Sequence, residues 1–249
     1  MVELACDWGE SFGPWRHGAG PEILELVTAV HLACGFHAGD PLTMLRAVEA
    51  CAGAGVAVGA HPGWPDLVGF GRRELACSPA ETTALVLYQI GALAAIARSV
   101  GVELSHVKPH GALYHQAACD PALAGAVSCA VAGADHRLAV VTQPGTELER
   151  AARELGLEVR RELFADRRYR ADGSLLSRRD PRALLSDPAE AAAQVAQALE
   201  RGTVPTVDGS EVAVELDTIC IHGDEPSAVA VARAVRKVLD AHDTGAPTR

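Results

Sequence analysis

Short apolar runs recur along the chain. Each leads into a segment rich in glycine, proline and polar residues, and then into a longer amphipathic run. The apolar runs are Val2 to Cys6, Val27 to Leu32, Val56 to Ala60, Leu104 to Val107, Leu138 to Thr142, Leu157 to Arg161 and Thr218 to Ile221. Their length suits strands, and a run such as Val56-Ala57-Val58-Gly59-Ala60 suits burial on both faces, as in a parallel sheet. Helix starts are equally legible. Asp40-Pro41, Asp120-Pro121 and Asp187-Pro188 each place a capping carboxylate before a proline that needs no N–H, and Ser78-Pro79-Ala80-Glu81 is a capping box. These signals predict helices over 42–54, 79–100, from 121, from 147, over 188–201 and over 227–239, with a short one near 21–27. Val207-Asp208-Gly209-Ser210-Glu211-Val212, within 202–216, predicts a hairpin.

Seven strand-to-helix units with no linker between them predict an α/β fold, a (β/α) barrel of seven strands and irregular outline. Residues 1–241 form its single domain, and 242–249 are expected to fray. A closed barrel is favoured over an open sheet by where the polar residues fall. Asp7, His37, His61, Lys108 with His110, Asp166 and His222 come from six different strand exits, and a barrel gathers such exits around one axis.

The exits carry specific chemistry. After the first strand, Asp7-Trp8-Gly9-Glu10 offers two carboxylates, suited to metal ligation or general-base work; the bland alternative is loop capping by Asp7 and a solvated Glu10. Ala33 to Pro41 brackets His37 with Gly35 and Gly39. The third exit runs from His61 through Pro62, Gly63 and Gly71 to Arg72 and Arg73, a pair able to fork onto a carboxylate or phosphate or simply to face solvent. At the fourth, Lys108 and His110 point the same way by parity, and a lysine there needs an anion. His106 shares their parity but reads as a core histidine, and His115 as surface.

Composition narrows the function. With 22 basic and 32 acidic side chains the net charge is −10, which argues against nucleic acid or an anionic membrane as partner. No unbroken apolar run reaches membrane-spanning length and no signal-peptide pattern opens the chain, so a cytoplasmic protein is expected. The seven cysteines are odd in number and lack a C-x-x-C pair, as reduced packing thiols would be; a nucleophilic role for Cys6, Cys34 or Cys220 is the less favoured alternative. A phosphate-binding G-x-x-x-x-G-K-[ST] loop is absent.

The quoted loops, with Phe164-Ala165-Asp166-Arg167, Val207-Asp208-Gly209 and Cys220 to Asp224, together resemble the LamB/YcsF family from residue 2 to 239. Ala5 and His31 stand where that family usually has Asn, and Trp8 where it usually has Leu. The resemblance implies a barrel similar to the glycoside hydrolase and deacetylase barrels. It further implies the A component of an ATP-dependent 5-oxoprolinase, with B and C components as partners and ATP as co-substrate of the complex; a homo-oligomer is compatible with it. By strand position Asp7, His61 and His110 match the trio that holds a divalent metal in the deacetylase barrels.

On this reading Glu10 or Asp7 is the general base and His61 or His110 shuttles a proton. Arg72, Arg73 or Lys108 holds carboxylate or developing phosphate charge, with His37, Asp166 and His222 lining the substrate. The rival readings are a stand-alone metal-dependent deacetylase or amidohydrolase and a non-catalytic metabolite-binding barrel.

Overall fold

A computed structural model describes residues 2–244. Seven parallel strands close into a barrel in the order β1 (Glu3–Trp8), β2 (Ala29–Ala33), β3 (Ala57–His61), β4 (Leu104–Val107), β5 (Ala139–Thr142), β6 (Val159–Phe164) and β9 (Thr218–Ile221), which returns to β1. The expected barrel is thus observed. The helices outside it are α1 (Pro41–Ala54), α2 (Pro79–Ser99), α3 (Gly111–Cys119), α4 (Pro121–Ala134), α5 (Glu147–Glu154), α6 (Pro188–Arg201) and α7 (Ala228–Thr244). Between α6 and β9, β7 (Thr203–Pro205) and β8 (Glu211–Ala213) form the expected antiparallel hairpin. Helix α7 runs past the expected boundary at 241 to Thr244, and the remainder of the expected tail, 245–249, lies outside the described residues.

Strand alternation divides the barrel into two chemistries. One face of each strand packs on the helices and is apolar: Leu4, Val30, Leu32, Val58, Val107, Val140, Leu163, Ile219 and Ile221 are all buried in the core cluster. The opposite face is small or polar. The ladder sets Asp7 beside His31, His31 beside Gly59, and Gly59 beside His106, making one layer across four strands. Gly59 is required there, because a Cβ at that position would run into the His106 ring. The apolar runs therefore read correctly as buried strands, while their inward face is a lattice of imidazoles and carboxylates.

Helix α2 is long and apolar enough to span a bilayer by composition, but it serves as a wall of the barrel. Val86, Ile90 and Leu93 enter the core, and its buried Gln89 holds both the N–H and the C=O of Gly63, at 2.9 and 3.0 Å. The capping signals form as read: Asp40 accepts from Leu42 and Thr43, and Ser78 and Glu81 complete the capping box.

Candidate functional site

At the C-terminal ends of the strands lies a cavity of about 680 Å³ whose wall includes Asp7, His61, Arg72, Lys108, His110, Tyr114, Phe164, Arg167, Arg178 and His222. Its floor is an ionic knot. Lys108 Nζ lies 2.9 Å from Asp7 Oδ1, 2.8 Å from Glu162 Oε1 and 2.9 Å from Cys220 Sγ. His31 Nδ1 donates to the same Asp7 oxygen at 2.9 Å, and Tyr114 donates its hydroxyl to Glu162 at 2.9 Å. Burial pushes the Asp7 carboxyl upward, but Lys108 and His61 outweigh it and hold it well below the usual carboxylate range. Burial likewise opposes the Lys108 charge, and Asp7 outweighs it, raising the ammonium well above its usual value. The anion that a lysine at this exit needs is thus internal, so Lys108 organises the floor rather than facing substrate with a free charge.

Beside the floor sits an imidazole cluster whose proton positions follow from its backbone partners. His61 Nδ1 is 2.7 Å from the carbonyl of Lys108, and His110 Nε2 is 2.8 Å from the carbonyl of Phe70. A carbonyl only accepts, so these two nitrogens carry hydrogens. The other two, His61 Nε2 and His110 Nδ1, face each other at 3.1 Å. In neutral rings both are lone pairs, and a positive charge between them, a proton or a metal ion, is needed to relieve the contact. Burial, with His37 beside it, lowers His110 well below the usual imidazole value. His37 stacks on His110 with ring centroids 3.7 Å apart, and neither of its nitrogens has a hydrogen-bond partner. Glu10 Oε1 completes the group, 3.7 Å from His37 Nε2 and 3.9 Å from His110 Nδ1. Burial and the neighbouring Asp7 push its carboxyl well above the usual range.

The donor atoms of Glu10, His37, His61 and His110 all lie within 4.8 Å of one another, a set able to hold a metal ion. Imidazoles whose far nitrogens donate to backbone carbonyls are the usual supporting arrangement for metal ligands. Asp7 falls instead in a second group with His31 and Cys220, into which Lys108 inserts its ammonium. The trio expected from strand position is therefore divided: His61 and His110 keep company with Glu10 and His37, while Asp7 is engaged by Lys108. Asp7 and His61 still touch, with Oδ2 and Nε2 3.4 Å apart.

Local chain geometry builds this arrangement. Pro62 accepts from the His110 N–H at 2.8 Å, and Gly71 accepts from Ala112 at 2.9 Å, so the third exit is sewn to the start of α3. Gly71 has φ 62°, and a Cβ there would stand 2.7 Å from His37 Cβ.

Of the other expected residues, His222 lines the cavity, and Asp166, buried behind it, accepts from its Nδ1 at 3.0 Å. Arg72 lines the cavity and pairs with Asp224. Arg73 does not reach the wall. Its side chain is 64% exposed and forks onto Asp66, because the tight turn before it directs the two arginines apart. Glu10 and His37 are buried behind the wall.

Sequence reading missed Glu162, Tyr114, His31 and Cys220 as parts of the floor. Parity held the signal: Glu162 is an acid two residues before Phe164 on one strand face, and a buried lysine requires such a partner. His106 is a core histidine as expected, bonded through Nδ1 to Ser105 at 2.8 Å, although its Nε2 lacks a partner. His115 is exposed, as expected, and borders the cavity.

A closed seven-stranded parallel barrel with acid, imidazole and cationic side chains at its mouth defines an α/β barrel protein with a hydrolase-like site. The LamB/YcsF family profile matches residues 2–247, and the chain belongs to that family. It is 54% identical over 248 residues to the A component of 5-oxoprolinase from Symbiobacterium thermophilum, covering 99% of this chain and 95% of that one. The corresponding 5-oxoprolinase component of Geobacillus kaustophilus is 52% identical over 238 residues, covering 96% and 93%. Among solved structures, the lactam utilization protein from Thermus thermophilus superposes with a TM-score of 0.91 at 49% identity, covering 100% of this chain and 98% of that one.

Proposed function

We propose that this chain is the A component of an ATP-dependent 5-oxoprolinase. It opens the lactam of 5-oxoproline to L-glutamate in the cytoplasm, in complex with B and C components. The observation that carries the reading is the convergence of Asp7, His61, Lys108 and His110 on one cavity at the C-terminal end of the barrel, with Glu10 just behind its wall, in a chain whose relatives are named as 5-oxoprolinase components. Opening the ring breaks the lactam C–N bond; water gives its oxygen to the carbonyl carbon and a proton to the departing nitrogen. An unactivated amide resists this step, and coupling to ATP supplies the missing driving force.

Of the two candidate bases, Glu10 is the better suited. Asp7 is held as a fixed carboxylate by Lys108, whereas burial and the neighbouring Asp7 raise the Glu10 carboxyl well above its usual range, so it takes up a proton far more readily. His61 and His110, in contact with each other, relay a proton between the water and the ring nitrogen. Asp7 and Lys108 hold His61 in position, Asp166 orients His222 toward the cavity, and Arg72 offers a guanidinium to the substrate carboxylate.

Glu10, His37, His61 and His110 are the residues that would hold a divalent ion. Such an ion would polarise the carbonyl and lower the pKa of a bound water. This donor set also sustains the second reading, in which the barrel alone is a metal-dependent amidohydrolase.

Reconstitution with candidate B and C components, assayed for glutamate formation with and without ATP, tests the proposal. Glutamate formation that requires ATP and all three chains upholds it. Hydrolysis of 5-oxoproline by the isolated barrel with metal but no ATP replaces it with the second reading.

A further inference from the structure

The cavity is cationic to a degree that the protein's net charge of −10 does not suggest. Its wall carries Arg72, Lys108, Arg167, Arg170, Arg178 and Arg179 against two acids, Asp7 and Glu74. Lys108 and Arg72 are neutralised, by Asp7 with Glu162 and by Asp224. Arg167 is not. It is 3% exposed, it spends one nitrogen on the carbonyl of Leu176 at 2.7 Å, and its Nε has no partner. It forms no ion pair among the described residues. Arg178 places one nitrogen 3.2 Å from Glu225 Oε1, and its buried Nη2 has no partner either.

A buried guanidinium left without an anion is costly, as is each unmade hydrogen bond from it. The backbone of Arg167 is nonetheless pinned: Gln194 donates to its carbonyl at 2.9 Å, and it bridges to Leu184. Two charged groups are thus held at the cavity wall with donors unspent, the arrangement of a site built for an anion.

We infer that Arg167 and Arg178 form a subsite for a phosphoryl oxyanion, from the unpartnered donors of both and the absence of an ion pair at Arg167. The donors come from two separate guanidinium planes, contributed by segments eleven positions apart in number, 167 and 178. A planar carboxylate satisfies one fork; a tetrahedral oxyanion offers several oxygens in different directions and can meet both. Arg170 and Arg179, which also form no ion pair among the described residues, add long-range attraction for a multiply charged group. The phosphoryl group has two sources: the terminal phosphate of a nucleotide, or a phosphate ester carried on a small molecule. The subsite does not depend on the lactam reading, since it is measured by binding without turnover.

The test is calorimetric titration of the full chain with inorganic phosphate, ATP, glycerol 3-phosphate and L-glutamate, repeated with Arg167→Lys and Arg178→Gln. Saturable phosphate binding is expected, weakened at least about tenfold in each variant. If Arg167→Lys fails to fold by circular dichroism, Arg178→Gln, whose side chain is more exposed, decides alone. ATP binding far tighter than glycerol 3-phosphate assigns the nucleotide as source, and comparable binding assigns the phosphate ester; either upholds the subsite. Absence of saturable phosphate binding, undiminished binding in Arg178→Gln, or tighter binding of L-glutamate than of phosphate overturns it.

Discussion

Lys108 and Asp7 are 101 positions apart in sequence, yet the ammonium of one lies 2.9 Å from the carboxylate of the other inside the barrel. Removing the lysine while keeping its volume, as in Lys108→Met, strands Asp7 and Glu162 as buried acids. A loss of roughly 3–5 kcal/mol is expected. The pH dependence reverses as well. In the wild type the depressed Asp7 carboxyl contributes stability above the unfolded carboxylate pKa, and that contribution is lost as pH falls through its lower folded value. Without Lys108, burial favours the protonated form of Asp7, so the variant weakens as pH rises. Urea melts at pH 5 and pH 8 measure this; a variant that loses equal stability at both excludes the charge-pairing account.

Glu10 shows the opposite linkage. Its folded carboxyl is raised by burial and by Asp7, so the stability attached to its protonated form is full below the unfolded glutamate value. That stability is lost as pH rises through the folded one. Glu10→Gln keeps the shape and removes the titration, so the variant should gain stability relative to wild type as pH rises. In the reconstituted complex its turnover should fall by roughly 10²–10⁴. Unchanged turnover would remove Glu10 from the mechanism.

The metal donor set gives a readout separate from turnover. Calorimetric titration with zinc is expected to show one site per chain, and His110→Gln should weaken it at least about tenfold. Asp7→Asn should weaken zinc binding far less, because Asp7 lies in the other donor group. The reverse ranking would restore the trio expected from strand position.

Arg72 and Arg73 are adjacent in sequence and unequal in position. Arg73→Ala removes a half-exposed pair with Asp66 and should change stability by no more than about 1 kcal/mol, with kinetics unaltered. Arg72→Ala should raise KM for 5-oxoproline on the order of tenfold with kcat nearly kept. Steady-state assays of the complex distinguish the two.

The legible parts of this protein are its strand exits. Glycine and proline around His37, His61 and His110 mark turns by backbone requirement alone, and Asp40 and Ser78 mark helix starts by the groups they cap. Interior neighbours were less visible. Which residues share a layer depends on strand register, so parity places Glu162 on the inner face but does not say that it meets Lys108 and Tyr114. Helix α3 is hidden too, because its N-cap, His110, makes no side-chain capping bond and no Asp, Ser or Thr marks its start. His31, a departure from the family pattern, touches Asp7 directly, so the substitution alters the floor of the site rather than its rim.

Strand β9 pairs with both β1 and β6 and is the last strand of the barrel to be synthesised. Until Thr218–Ile221 leaves the ribosome, the N-terminal strand has one unpaired edge and the partly made sheet cannot become a ring. Emerging chains must therefore be shielded from sticking to one another through that edge for most of translation. The vulnerability of this architecture lies in its manufacture, and demand for chaperones during expression should fall only once that closing strand has emerged.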